Sequence, residues 1–260
     1  MFKRTFQLLV VACVVASALW AADAAFVGEW KLNPSKSKLT DQMKVESLGA
    51  NMYTFDFDGD GNVETIVADG TDQPGVFGTT LSVTAEGPDA WKVVRKENGH
   101  MVITANWKLS KDGNTLRDDF TGVNPNGSTY NLNYVYKRMG AGSGFAGTWL
   151  STSETVNSVF VLQVRPYEGD GLSFINPSEG TTTNVKFDGK DYPILGANVP
   201  PGFASSIHRV NEHTLEMTDK FDGKIRDTQQ IKLSSDLKGL TMTVHKVGRS
   251  DPNILVFERQ

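Results

Sequence analysis

The chain has 260 residues, 39% of them hydrophobic and 22% charged, with 25 glycines and 10 prolines. That is enough chain for one large β-domain or two small ones. A net charge of −4 and a pI near 5.6 exclude the basic face that a nucleic acid or an anionic membrane surface requires.

Lys3 and Arg4 precede an apolar run from Phe6 to Leu19 that only Gln7 and Ser17 interrupt, and Ala22-Asp23-Ala24 follows. A charged start, a short apolar run and small residues at the cleavage positions form a secretory signal over residues 1–24, too short for a membrane span. The mature chain is expected to begin near Ala25 and to be exported, to the periplasm or beyond the cell. Cys13, the sole cysteine, lies within this segment. Val10-Val11-Ala12-Cys13 also resembles a lipobox, so the alternative is a lipoprotein anchored through Cys13. On the cleaved reading no disulfide is available, and a hydrophobic core must hold the fold.

Past the signal the chain reads as strands and turns. Met101, Ile103, Ala105, Trp107 and Leu109 alternate with polar residues, a period of two, and Leu240, Met242 and Val244 do the same among threonines. Asn98-Gly99, Asp112-Gly113-Asn114, Asn124-Pro125-Asn126-Gly127, Asp188-Gly189-Lys190 and Asp222-Gly223-Lys224 supply turns between such runs. No capped amphipathic helix of convincing length follows the signal.

Several landmarks occur twice in the same order. Phe26-Val27-Gly28-Glu29-Trp30 is answered by Phe145-Ala146-Gly147-Thr148-Trp149, and Asp69 to Pro74 by Asp188 to Pro193. Lys108-Leu109-Ser110 is answered by Lys232-Leu233-Ser234, and Val135 to Arg138 by Val256 to Arg259. Ordered self-similarity indicates a tandem repeat. The expected units are residues 25–138 and 145–260, joined by a flexible Gly/Ser linker at residues 139–144. The expected fold is all-β: two tandem antiparallel barrels, or one larger barrel or sandwich closed by both repeats.

Motifs for chemistry are few. Asp56 to Asn62 alternates acids before a glycine, but the twelfth position of a calcium loop would be Val67, so an ordinary hairpin tip is expected. His208 and His213 are spaced to face opposite ways on a strand, and the four histidines do not form a zinc pattern. There is no Gly-x-Ser-x-Gly elbow and no phosphate loop. No cofactor and no metal are expected.

Aligning the two units strand by strand gives the sharpest expectation. Trp91, Val93, Met101, Ile103, Ala105 and Trp107 form an inward face in the first unit. The second unit answers Arg95 with Asp219, Ile103 with Asp227 and Ala105 with Gln229. Polar groups in an apolar phase are costly unless paired, so they either bond one another or line a wet cavity; a β-bulge turning them to solvent is the alternative. Arg95, Asp219, Asp227 and Gln229 are therefore the candidate ligand-binding residues, with the second unit as the expected site.

The Gly-x-Trp on a first strand, the antiparallel meander and an Arg on a closing strand resemble the lipocalin (calycin) pattern at the ends of both units. The segment Gly28 to Pro34 also resembles the opening of uncharacterised secreted bacterial repeat proteins. The lipocalin resemblance implies a Trp plugging each barrel base with an Arg across its ring, Arg138 on Trp30 and Arg259 on Trp149. It also implies a non-enzymatic protein that holds a small amphipathic or apolar ligand in a barrel wide enough for one molecule. An envelope structural or interaction protein without a ligand, and a hydrolase or isomerase on the same fold, are the alternatives.

Overall fold

The computed structural model describes residues 24–57, 59, 61–156 and 159–260, so the expected secretory signal, all but its last residue, and Cys13 lie outside the described residues. Twenty strands follow one another. The first ten are β1 (Gly28–Leu32), β2 (Gln42–Gly49), β3 (Met52–Phe57), β4 (Val63–Val67), β5 (Gln73–Pro74), β6 (Thr80–Gly87), β7 (Ala90–Glu97), β8 (His100–Leu109), β9 (Thr115–Val123) and β10 (Thr129–Ser143). The second ten are β11 (Ala146–Val156), β12 (Val161–Tyr167), β13 (Gly171–Asn176), β14 (Thr181–Val185), β15 (Tyr192–Leu195), β16 (Phe203–Asn211), β17 (Thr214–Phe221), β18 (Lys224–Leu233), β19 (Gly239–Lys246) and β20 (Asn253–Arg259). The turn sequences do their expected work: Asn98-Gly99 joins β7 to β8 and Asp222-Gly223 joins β17 to β18, with Asn98 and Asp222 both at positive φ.

The strands form two antiparallel ten-stranded sheets, and the first strand of each comes from the other half of the chain. One is a closed barrel of β1 with β12 to β20; the other runs β4-β3-β2-β11-β10-β9-β8-β7-β6-β5. The second sheet is nearly closed. Across its gap, Val67 N–H donates to the Gln73 side-chain oxygen at 2.8 Å and Gln73 Nε2 donates to the Val67 carbonyl at 2.7 Å, so one amide side chain stands in for a strand residue. Beyond it, Asp69 bridges to Thr84.

This pairing corrects two expectations. Residues 139–144 are not a flexible joint: they belong largely to β10, which turns through Gly144-Phe145 and pairs directly with β11, Ser143 opposite Ala146. Gly142 is there for close approach, because a Cβ on it would collide with the Ala146 carbonyl oxygen and with Arg138. So tight a hairpin is local and cheap to close, and it delivers β11 to the slot between β10 and β2. The compact units accordingly are not residues 25–138 and 145–260. One holds the described start to Asn33 with Phe160–Thr243 and Val256–Gln260, and the other holds Pro34–Val159 with Val244–Leu255.

The Trp–Arg partners are exchanged for the same reason. Arg138 lies over the ring of Trp149 at 4.2 Å and Arg259 over that of Trp30 at 4.1 Å, so the pairings Arg138 with Trp30 and Arg259 with Trp149 do not occur. Each Trp is fully buried, and its indole N–H donates to the carbonyl four residues before it, Phe26 or Phe145, at 2.9 Å. Arg259 donates to the carbonyls of Ala25, Val27 and Leu237. Arg138 donates to those of Gly144, Ala146 and Gly113. The Gly of Gly-x-Trp is required by this cage: a Cβ on Gly28 would lie 2.7 Å from Arg259 Nη1, and one on Gly147 2.5 Å from Arg138 Nη1.

A bulge does occur, at the same place in both sheets. The β7–β8 register slips between Arg95 and Lys96, and the β17–β18 register between Asp219 and Lys220. It turns Met101 outward, half-exposed, against the expectation that it faces the interior, and does the same to Ile225 in the closed barrel. It lies one step beyond Arg95, Asp219 and Asp227, whose inward phase survives.

Candidate functional site

Alternation along β7 to β10 aims Val93, Arg95, Ile103, Ala105, Trp107, Asp118, Phe120, Tyr134 and Tyr136 into the sheet that contains β2 to β11. Together with Asp41, Met43, Phe57 and Leu81 they surround a cavity of about 260 Å³. Register fixes its length. Trp107 stands opposite Asp118, and Ile103 opposite Arg95; these two levels are four residues apart along β8, roughly 13 Å of strand.

At the first level the polar groups are Asp41, Asp118, Trp107 and Tyr136. Asp41 is fully engaged: Tyr136 Oη donates to Oδ2 at 2.5 Å, Arg249 Nη2 to Oδ1 at 2.7 Å, and the Asp41 N–H donates to Ser151 Oγ at 2.6 Å. Burial pushes the Tyr136 hydroxyl well above its usual range, and the charges of Asp41 and Asp118 add to this. Asp118 is different. It is only 6% exposed, and its Oδ1 has no hydrogen-bond partner from the protein; nor has Nε1 of Trp107, which is 2% exposed. Burial raises the Asp118 carboxyl to about 7. The nearby Trp107 N–H, short of hydrogen-bond geometry, favours the charged form, while the charges of Asp41 and Asp119 oppose it.

At the second level Arg95 donates to Glu64 Oε1 at 2.8 Å and to Thr79 Oγ1 at 2.7 Å, with its guanidinium 5.6 Å from the Phe57 ring centre. Glu64 is buried, and its second oxygen, Oε2, is also without a partner. Between the levels the walls are aromatic and aliphatic.

Of the four residues expected from sequence to bind a ligand, only Arg95 lines this cavity. Asp219, Asp227 and Gln229 lie together in the closed barrel, at the positions matching Arg95, Ile103 and Ala105. There Ser205 Oγ donates to Asp219 Oδ1 at 2.5 Å, and Gln229 Nε2 reaches Asp219 Oδ2 at 2.8 Å and Asp227 Oδ1 at 3.0 Å. Burial above all, with the Asp227 charge, raises Asp219 to about 6, against the lowering effect of the Ser205 and Gln229 bonds. These groups bond one another. Trp30, Arg138, Trp149 and Arg259 hold the two cages described above.

Sequence reasoning missed Asp41, Glu64, Asp118 and Tyr136. A signal for Asp118 was present: it shares the phase of Leu116 and Phe120 on β9, the same two-residue rule that singled out Asp219. The turn after Asp56 is closed by the Gly61 N–H on the Asp56 carboxylate, 3.2 Å to Oδ1; Asp58 and Asp60 lie outside the described residues. His208 pairs with Glu216 across exposed strands. Among the described residues no three His, Cys, Asp or Glu side chains are grouped to hold a metal, and no helix is long and apolar enough to cross a membrane.

Compared with family models, curated proteins and solved structures, the chain matches none of them.

Proposed function

We propose that this is an exported, non-enzymatic binding protein built on a duplicated, lipocalin-like barrel, and that it carries a small amphipathic ligand in the cavity between Trp107 and Arg95. The expectation that the unit with Asp219 and Asp227 is the site gives way to this one, because those groups are satisfied by their neighbours and Asp118 and Trp107 are not. The carrying observation is a cavity of about 260 Å³ whose wall is part apolar and part polar, with an orphaned buried acceptor and donor on it. An unpaired buried polar group costs about 1–3 kcal/mol. Waters against the aromatic and aliphatic stretch of the wall would lack hydrogen bonds that an apolar body does not need, and the cavity has room for such a body. It falls just below the ~300–1,000 Å³ of sites for drug-sized molecules, so the ligand is small.

The test is native mass spectrometry of the mature protein purified gently from its own source. The expected result is an added mass that disappears on denaturation, persists in Asp219→Asn and is absent from Ala105→Leu, which fills the cavity. A bare mass, together with no thermal stabilisation by small aromatic alcohols or amines, would overturn the reading and favour an envelope structural role. The hydrolase or isomerase reading has one group in its favour, since a carboxyl near pH 7 in a cleft suits general acid–base work; turnover that Asp118→Asn abolishes would establish it.

A further inference from the structure

The charges around the cavity do not balance. Asp41 is paired with Arg249 at 2.7 Å, whose side chain is 5% exposed, and Glu64 with Arg95 at 2.8 Å. Among the described residues Asp118 has no cation. The groups that face it are Trp107 from β8, Tyr134 and Tyr136 from β10 and Asp41 from the segment before β2; Asp119, next on its own strand, points the other way but adds its negative charge. The charged ones among them are acidic, and the remainder are aromatic. A carboxylate held this deep with no positive partner is expensive, and its ring-lined surroundings are what an organic cation prefers. The two other cations near the cavity, Arg95 and Arg249, are already bound to carboxylates, so the spare charge of the site is a single negative one.

Resting on the reading of this cavity as a ligand site, we propose that its ligand is a small organic cation. It would be a primary or secondary ammonium on an aromatic or branched aliphatic body, with an N–H donated to Asp118 Oδ1 and the body directed along the wall toward Ile103. Its arrival supplies the missing charge partner and covers the apolar wall in one step. It also makes binding proton-linked: the ammonium needs Asp118 as carboxylate, and that carboxyl takes up a proton as the pH falls through about 7.

The test is calorimetric titration of the mature protein with 2-phenylethylammonium and with its neutral isostere 2-phenylethanol. At pH 8 the ammonium is expected to bind about tenfold tighter, the difference between a charge-assisted and a neutral hydrogen bond. From pH 7 down to 5.5 its affinity should fall, approaching tenfold per pH unit, while that of the alcohol stays level. Asp118→Asn should remove the preference and leave alcohol binding in place; because the substitution deletes an unpaired buried charge, the variant is expected to fold. If the alcohol binds as tightly as the ammonium, if the ammonium shows no pH dependence, or if Asp118→Asn keeps the preference, the inference fails while the cavity reading stands. If neither probe binds and Ala105→Leu titrates like the wild type, the cavity reading fails with it.

Discussion

The two barrels share a scaffold, and both carry polar side chains at the level of Arg95 and Asp219, but only the cavity sheet carries them at the other level as well. Where Leu81, Ile103 and Ala105 line the cavity, the closed barrel has Ser205, Asp227 and Gln229, which join Asp219 in a bonded network. Where the cavity has Trp107, Asp118 and Tyr136, the matching residues are Ile231, Met242 and Phe257, and Ile231 and Phe257 are fully buried. One interior has polar groups that answer each other. The other holds, besides its own ion pairs, a buried acceptor and donor without a partner, next to a cavity of about 260 Å³. Polarity inside a barrel is thus a poor sign of a binding site by itself; the sign is polarity left unsatisfied next to space.

The likeness of the two cages is the first thing to break. Trp30→Ala and Trp149→Ala should each cost about 3–5 kcal/mol, and nearly the same amount, as read by urea unfolding with hydrogen exchange resolved by barrel. A cost at one Trp less than half that at the other would show that the cages only look alike. Next comes the cavity's distal level: Arg95→Leu leaves the buried Glu64 without its cation and should cost about 3 kcal/mol, with Glu64→Gln in the same chain recovering much of it. No such rescue pair exists at Asp219, whose partners are neutral.

The two raised carboxyls sharpen the comparison further. For Asp118, raised to about 7, the native state holds a proton between about pH 4 and 7 that the unfolded chain has released. Stability therefore falls as pH rises through that window, and the full cost is present above it. Asp118→Asn should accordingly stabilise the ligand-free protein by about 2–4 kcal/mol at pH 8 and hardly at all at pH 4. Asp219, raised only to about 6 and bonded twice, carries the same sign over about pH 4 to 6, and Asp219→Asn should gain ~1 kcal/mol or less. Denaturation curves of both variants at pH 8, 6 and 4 separate the cases; equal gains would erase the distinction between a satisfied and an unsatisfied carboxylate.

Much of the local structure was legible in the chain. Strand phase and the Asn-Gly and Asp-Gly turns follow from short-range sterics and period-two patterning, and the association of each Gly-x-Trp with a late Arg was what the lipocalin resemblance implied. The exchange of first strands was not, because Trp30 and Trp149 lie in near-identical motifs and nothing in either says which Arg it will meet. That choice is made by loop closure: Gly144-Phe145 brings β11 onto β10 at once, whereas β1 must wait for β12 and β20. The site was half legible. Arg95 and Asp219 stand out because they interrupt apolar runs, but whether such a group is answered depends on residues far apart in sequence, such as Asp41 and Arg249.

The exchange of first strands also sets an order of completion during synthesis. When residue 143 has been made, the sheet begun by β2 still has an empty slot beside Arg138, and β12 and β20, the partners of β1, are still to come. The slot fills with residues 146–156, and the closed barrel cannot seal until β20, the last strand of the chain, lies against the first. A chain threaded outward from its beginning therefore stays without a finished barrel for more than half its length. A cut near residue 143 deprives both sheets of a strand, so neither half separated there retains a complete sheet.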